Sequence, residues 1–228
     1  MINLAEPLED LYTSSKYITL DFSNISKNTP ISDSIESYFH KVKAFGDNPR
    51  SPENRQAFNN ELIESSSVRY LIGRYGEDRS AMLLDTPAGK EGRTIHMAVD
   101  IFSKNLEPVF SPCDGQVVES GYEEGFGEYG NYLIVQPKVG DYFIFMGHLS
   151  SEKIGCKAIS KGQQIAALGD YVENENGGWS RHLHLQILKE LPNAGTTPSG
   201  YSTREKFELN KSLFPDPLQL FSDWVIQS

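Results

Sequence analysis

The stretch TIHMAVDIF, residues 94–102, decides the fold of this chain and carries its most informative side chains. Its β-branched and apolar residues predict a strand from Ile95 to Phe102, and alternate side chains of a strand point to the same face of the sheet. His96 and Asp100 then converge on one point. A helix would also place them on one face, at i and i+4, but the β-branched content and the flanking glycine and proline favour a strand.

A second stretch, RHLHLQIL at residues 181–188, has the same character. It predicts a strand from Leu183 to Leu188, and His182 and His184 share one sheet face because they are two residues apart. His148 lies in a third stretch, MGHLS at residues 146–150. Four of the five histidines of the chain therefore fall in three short segments, and such clustering is typical of a metal site.

These residue types point to zinc chemistry. Zinc in a hydrolase takes three protein ligands, drawn from imidazole and carboxylate groups, and keeps a fourth position for water. His96, Asp100 and one of the paired histidines would supply the three ligands. The chain has no His-Glu-x-x-His motif, so the helix-borne metalloprotease arrangement with a glutamate base is not available, and histidines would replace that glutamate.

The order of these motifs, His-x-x-x-Asp, then Gly-His-Leu-Ser, then His-Leu-His, resembles that of the lysostaphin and LytM-type zinc endopeptidases, metallopeptidase family 23. Many members of that family cut peptide cross-links in bacterial cell walls. The resemblance runs from about Arg93 to Leu188 and includes the segments PVFSPCDGQVV at 108–118, GNYLIV at 130–135 and KGQQIAALG at 161–169. Ala98 departs from it, because the family often has a glycine at that position.

The resemblance implies a role for each candidate residue. One zinc ion per chain would be bound by His96, Asp100 and His184, while His148 and His182 would stay off the metal and act on the reacting groups. Zinc lowers the pKa of its bound water from about 15.7 to roughly 7. An uncoordinated imidazole, with an ordinary pKa of about 6.5, exchanges protons near neutral pH. Which of His148 and His182 is the general base stays open.

Many short strand-like runs separated by glycine-bearing turns fill residues 90–190, which predicts a mainly β domain of antiparallel sheets. The resemblance implies an open groove on the sheet, as in the LytM and lysostaphin fold. The loop from Asp170 to Arg181 and the hairpin from Gly121 to Gly130 are expected to form opposite walls of that groove. Residues 86–228 would constitute this zinc peptidase-like domain, with a C-terminal segment that includes a short helix from Ser202 to Ser212.

Residues 1–85 are predicted to form a helical N-terminal extension. Apolar residues recur at helical spacing from Ile35 to Val42, and Ser51 followed by a proline opens a second helix through about Ile63. The segment Val68–Tyr75 fits either a short helix or a strand, and Gly73–Arg79 is expected to be an exposed turn.

The extension suggests one hypothesis about regulation, in which it covers the groove and supplies a side chain to the open zinc position. The alternative is a helical cap that completes the core. His40, on the first predicted helix, is expected to have no catalytic role.

Composition and charge narrow the function classes. The chain has 228 residues, 38% of them hydrophobic and 23% charged, which is ordinary for a globular protein. A formal net charge of −10, with no lysine and arginine cluster that could follow a phosphate backbone, argues against nucleic acid as a partner. No stretch approaches the roughly 18 apolar residues of a membrane span. The first residues lack a secretory signal, so we expect a cytoplasmic location, or export if a leader has been trimmed.

Cys113 and Cys156 are the only cysteines, and neither belongs to a Cys-x-x-Cys pair. We expect two buried thiols rather than a disulfide or a nucleophile.

Together these patterns predict a zinc metalloendopeptidase, a hydrolase that cleaves a peptide or muropeptide-type substrate with a metal-activated water. One alternative is a non-catalytic module on the same fold that binds a peptide or glycan and regulates a partner. Another is a zinc amidase that acts on a non-peptide amide. A structural zinc site would instead close its coordination with four protein ligands.

Overall fold

The computed structural model describes residues 17–20, 44, 46–48, 51–83 and 86–217. Its strands are β1 Tyr17–Leu20, β2 Tyr70–Gly73, β3 Arg93–His96, β4 Val99–Ser103, β5 Pro108–Phe110, β6 Gly115–Glu123, β7 Gly130–Pro137, β8 Phe143–Leu149, β9 Ala158–Ile159, β10 Gln164–Ala167, β11 His182–Leu188 and β12 Tyr201–Thr203. Its helices are α1 Pro52–Ser65, α2 Ser80–Leu83, α3 Pro87–Lys90, α4 Glu173–Asn176 and α5 Phe207–Asn210. Within these ranges, no helix has the length and apolar character needed to cross a membrane.

One large sheet organises most of the strands. Its order is β1-β2-β4-β11-β8-β7-β6-β9, and every neighbouring pair is antiparallel except β1 and β2, which run parallel. Two small sheets pair β5 with β10 and β3 with β12. The fold class predicted from the sequence, a mainly antiparallel β domain with few helices, is confirmed.

The strand β11 lies inside the large sheet and is buried along its whole length. Alternate residues point to opposite faces, so Leu183, Leu185 and Ile187 share one face and join the main hydrophobic cluster. His182, His184 and Gln186 share the other face. The apolar half of the strand therefore fixes the direction in which its polar half points.

The single strand predicted from Ile95 to Phe102 is wrong, because the chain breaks it after His96. The strand β3 ends there and pairs with β12, whereas β4 begins at Val99 and pairs with β2 and β11. Met97 and Ala98 between them are fully buried. The backbone N–H of Met97 donates to the carbonyl of Gly200, at 2.9 Å. The two halves of the motif thus have different pairing partners, which side-chain alternation cannot reveal.

The helix α1 confirms the second helix predicted in the extension. Ser51 caps it, with its hydroxyl accepting from the backbone N–H of Asn54 at 3.2 Å, and a proline occupies the first turn. The Gln56 side chain donates to the carbonyl of Ser103 at 3.0 Å and accepts from the backbone N–H of Arg181 at 2.6 Å. The helix therefore holds together the end of β4 and the start of β11.

The other expectations for the extension and the C-terminus have different outcomes. Of the two alternatives for residues 68–75, the strand is present as β2, and it pairs with β4 in the main sheet. The described part of the extension is therefore not wholly helical, and the division at residue 85 stays a prediction. The predicted helix from Ile35 to Val42, with His40, and the final segment from Leu218 lie outside the described residues. The short helix predicted from Ser202 to Ser212 is present only over Phe207–Asn210, as α5, because residues 202–203 belong to β12.

The expectation of two buried thiols is wrong for Cys156. Both cysteines are free, but Cys156 is exposed and Cys113 is half-buried. Cys156 lies between β8 and β9, where its thiol reaches only the carbonyl of Val118, at 3.4 Å. Burial raises the pKa of Cys113 to about 11, so this thiol is not a nucleophile at neutral pH.

Gly130, at the start of β7, is a position where glycine is required. Its φ is +61°, and an added Cβ would lie 2.1 Å from the carbonyl oxygen of Glu175 in α4. We predict that Gly130→Ala lowers the free energy of unfolding by more than the ~1–3 kcal/mol of left-handed strain, because α4 must also move. Urea denaturation measures the change.

Gly92→Ala is the matched control, because Gly92 has a φ of +73° but an added Cβ would meet nothing within 4 Å. This variant carries the backbone strain alone. Equal losses of stability in the two variants would show that the contact with α4 does not constrain residue 130.

Candidate metal centre

Three buried side chains converge on one face of the main sheet. Asp100 on β4 stands directly opposite His184 on β11 in the antiparallel register, and His96 reaches the same point from the end of β3. The Oδ1 atom of Asp100 lies 3.0 Å from Nδ1 of His184 and 3.4 Å from Nε2 of His96. One ligand atom from each residue lies within 4.8 Å of the other two. The structure thus brings together the three residues predicted as metal ligands.

The hydrogen bonds of His96 leave one ring nitrogen available to a metal. Its Nδ1 lies 3.0 Å from the carbonyl oxygen of Arg74, so Nδ1 carries the proton and donates it. Its Nε2 is buried and has no hydrogen-bond partner among the described residues. A buried nitrogen without a partner costs free energy, and a bound cation would remove that cost.

His184 is oriented in the same way by a residue that the sequence analysis missed. Its Nε2 lies 3.1 Å from Oε1 of Gln186, which accepts the proton. The amide of Gln186 is itself fixed, because its Nε2 donates to the carbonyl of Ser199 at 3.1 Å. The lone pair of His184 Nδ1 therefore points at Asp100. Gln186 is fully buried in an apolar strand. A glutamine in an apolar strand, two residues after His184, is the sequence signal that could have revealed this role.

His148 and His182 lie side by side next to this point, with ring centroids 4.2 Å apart. Nδ1 of His148 donates to the carbonyl of Asn176 at 2.8 Å, and Nδ1 of His182 donates to the carbonyl of Ser180 at 2.7 Å. Each imidazole then keeps a lone pair on Nε2. His148 adopts a left-handed backbone conformation, with φ +60°. Both side chains line the same cavity as Asp100 and His184.

Burial keeps these imidazoles neutral at physiological pH. It lowers the pKa of His96 and of His182 to about 4. Burial, with the charges of His182 and His184, lowers the pKa of His148 well below its ordinary value. Burial alone would raise the pKa of Asp100, but its interactions with His96, Arg79 and His182 hold it well below its usual range. Asp100 is therefore a carboxylate and His96 a neutral imidazole, the forms that bind metal ions.

The segment Gly73–Arg79, expected to be an exposed turn, is instead part of the centre. Glu77 and Arg79 are each 2% exposed. Nη1 of Arg79 donates to Oδ2 of Asp100 at 2.5 Å, and Nε of Arg79 donates to Glu77 at 2.7 Å. The expectation was wrong because the buried charges are paired with each other. In the sequence alone, four charged residues in a segment of seven indicate a solvated loop.

A cavity of 390 Å³ opens in front of the centre. The two predicted walls both contribute to it, through residues 123 and 127–129 of the β6–β7 hairpin and through Trp179 and Ser180 before β11. Further segments, residues 82–83, 86–88 and 197–201, line it as well, together with Arg55 of α1. The guanidinium carbon of Arg55 lies 5.3 Å from the centre of the Trp179 ring, so the N-terminal helix reaches the cavity.

Two imidazoles and a carboxylate at one point, with two more imidazoles beside a cavity, define a candidate metal site of the kind that hydrolases use. Residues 94–196 match the model of Peptidase family M23, and the resemblance predicted from the sequence is confirmed.

Several solved structures are similar to parts of the chain. The catalytic domain of the antimicrobial peptidase lysostaphin from Staphylococcus simulans has 22% sequence identity and a TM-score of 0.45, and the match covers 67% of this chain and 92% of that chain. A zinc containing peptidase from Vibrio cholerae has 27% identity and a TM-score of 0.34, covering 42% of this chain and 27% of that chain. A catalytic domain of a prophage-encoded M23 protein from Enterococcus faecalis has 15% identity and a TM-score of 0.36, covering 49% and 77%. Among curated proteins, none matches the chain.

The lowered histidine pKa values predict how the metal-free protein responds to acid. In the unfolded chain these imidazoles titrate near 6.5, whereas His96 and His182 titrate at about 4 in the fold. Between these values the unfolded chain binds more protons, so stability is full above about pH 6.5 and falls as the pH approaches 4. Thermal unfolding of chelator-treated protein across this range measures the loss.

The variant His182→Gln isolates the histidine contribution from that of the carboxylates. It should show a shallower fall of Tm between pH 6.5 and 4 than the unaltered protein. Parallel curves for the two proteins would contradict the assignment.

Proposed function

We propose that this chain is a zinc metalloendopeptidase that hydrolyses a peptide bond with a metal-activated water. The observation that carries the proposal is the convergence of His96, Asp100 and His184 on one buried point, with His148 and His182 facing the same cavity. The match of residues 94–196 to Peptidase family M23 supports it.

The donor set fits zinc. Two imidazole nitrogens and a carboxylate oxygen are ligands that zinc takes in hydrolases, and the buried Nε2 of His96 needs a partner. His96, Asp100 and His184 would hold the ion through Nε2, Oδ1 and Nδ1, with a fourth position open to water. When bound, zinc supplies a Lewis acid and lowers the pKa of that water to roughly 7.

His148 and His182 supply the proton transfers. Each is held by a carbonyl at Nδ1 and presents a neutral Nε2, which can accept a proton from the attacking water and return it to the leaving amine. Nε2 of His182 also lies 3.8 Å from Oδ1 of Asp100, so a nearby carboxylate stabilises the imidazolium that forms. Because both Nε2 atoms are acceptors at rest, an imidazole can donate to the developing oxyanion only after it has accepted the proton of the water.

The cavity favours a peptide of modest size as the substrate, such as a cell-wall-derived or other small peptide. Its volume of 390 Å³ is in the range of small-ligand sites, which run from roughly 300 to 1,000 Å³. Met82, Leu83 and Trp179 give it apolar surface, while Arg55 and Glu128 add charge.

Metal content is the first test. Protein purified without added zinc should contain about one zinc per chain by elemental analysis, and His184→Ala should lose it because one of three ligands is gone. His148→Ala is the control, since it removes a buried imidazole of the same centre that is not a ligand, and it should keep the metal. A metal-free wild type that cannot be reloaded would shift the proposal to a non-catalytic binding module.

Turnover separates catalysis from binding. We predict that His148→Ala and His182→Ala each retain zinc but lose roughly 10²- to 10⁴-fold in kcat, the usual contribution of general acid–base catalysis. A panel of cross-link-type peptides and non-peptide amides, followed by mass spectrometry, measures this. Cleavage of the non-peptide amides alone would identify an amidase, and loss of zinc from His182→Ala would place that residue among the ligands.

A further inference from the structure

A buried ion cluster lies behind the metal centre. The side chains of Glu77, Arg79 and Asp100 are each no more than 2% exposed, and Arg79 lies within 2.5 Å of one carboxylate oxygen of each partner. On Asp100 that oxygen is Oδ2. The other oxygen, Oδ1, faces three imidazole nitrogens at 3.0, 3.4 and 3.8 Å. The guanidinium thus makes the two oxygens of one carboxylate chemically different.

Stability alone does not explain why this cluster is buried. Removing charged groups from water costs free energy, and apolar residues of similar size would often stabilise the fold as well or better. A carboxylate with both oxygens free can bind a metal through one or both of them. A guanidinium held against Oδ2 removes the second mode.

From this geometry we propose that Arg79 is a positioning residue that makes Asp100 a one-oxygen metal ligand and so keeps a coordination position open for water. The inference rests on the proposed function, because it concerns the same metal. Arg79 acts through Asp100 and does not touch the substrate.

Backbone contacts place Arg79 and His96 together. The N–H of Arg79 donates to the carbonyl of Thr94 at 2.8 Å, and the N–H of His96 donates to the carbonyl of Glu77 at 2.9 Å. The carbonyl of His96 accepts from the N–H of Gly76 at 2.8 Å. These three hydrogen bonds therefore fix the positions of His96, a proposed metal ligand, and of Arg79, which orients the proposed ligand Asp100. Residues 76–79 precede the segment that matches the family model.

Gly73 provides the space for the guanidinium. It stands opposite Asp100 in the pairing of β2 with β4. A Cβ at this position would lie 2.4 Å from Nη2 of Arg79 and 3.3 Å from Cβ of Asp100. Alanine fits a strand conformation, so Gly73→Ala would displace the guanidinium while every charge stays in the protein.

The test uses cobalt(II) and zinc on the full chain. A four-coordinate cobalt site absorbs visible light strongly, and a five-coordinate site absorbs more weakly, so the spectrum reports how Asp100 binds. Arg79→Gln and Gly73→Ala should both weaken the absorption. Both should also lower the affinity for zinc, measured against a chromophoric chelator, by roughly 10- to 100-fold, as loss of an outer hydrogen bond to a ligand does.

Two controls separate positioning from general damage. Glu77→Gln disturbs the same buried cluster but keeps the bond from Arg79 to Asp100, so it should lower stability and leave the cobalt spectrum unchanged. Gly155→Ala, where an added Cβ meets nothing within 4 Å, should change neither. If Arg79→Gln does not fold, Gly73→Ala carries the test.

The outcomes for the two proposals are distinct. A wild type that binds neither ion overturns the proposed function and this inference with it. A wild type that binds both ions, with Gly73→Ala and any folded Arg79→Gln unchanged in spectrum and affinity, overturns only the role of Arg79. The same spectral change in Glu77→Gln as in Arg79→Gln would show that the whole cluster acts structurally, and would also overturn it.

Discussion

The antiparallel pairing of β4 with β11 sets Asp100 directly opposite His184, and the geometry of the metal centre depends on that register. A slip of one residue would turn every side chain of a strand to the other face. The register is secured by the core, because Leu183, Leu185 and Ile187 must pack into the hydrophobic cluster. Burial of apolar side chains on one face therefore determines the distance between charged and polar atoms on the other.

Side-chain alternation made much of the centre predictable from the sequence. It placed His182 and His184 on one face of a strand, and the structure has both facing the cavity. It also brought His96 and Asp100 to one point, although the strand between them is broken. The start of α1 was readable from Ser51 because a cap acts within one turn of chain. These features depend on residues that are close together along the chain, so they can be predicted from the sequence.

The features that could not be predicted depend on neighbours in space. The break at Met97 and Ala98 follows from the pairing of β3 with β12, a partner about a hundred residues away. Arg79 is buried only because Glu77 and Asp100 pair with it. From the sequence alone its charge predicts an exposed residue, and only the pairing of β2 shows otherwise. The pairing of β2 with β4 also bears on the hypothesis of an inhibitory extension. Residues before 86 contact the ligands of the candidate metal centre, so they are not merely a cover over the groove.

The left-handed backbone of His148 has a consequence for protein engineering. Its amide donates to the carbonyl of Tyr129 and its carbonyl accepts from Gly169, at 3.0 and 2.9 Å. These two bonds hold it in a conformation that glycine or asparagine would adopt with less strain. A search for stabilised variants would therefore favour replacing the very side chain that faces the cavity. If His148 transfers protons as proposed, thermostability and chemistry conflict at this residue, and libraries screened only for folding would select against the proposed chemistry.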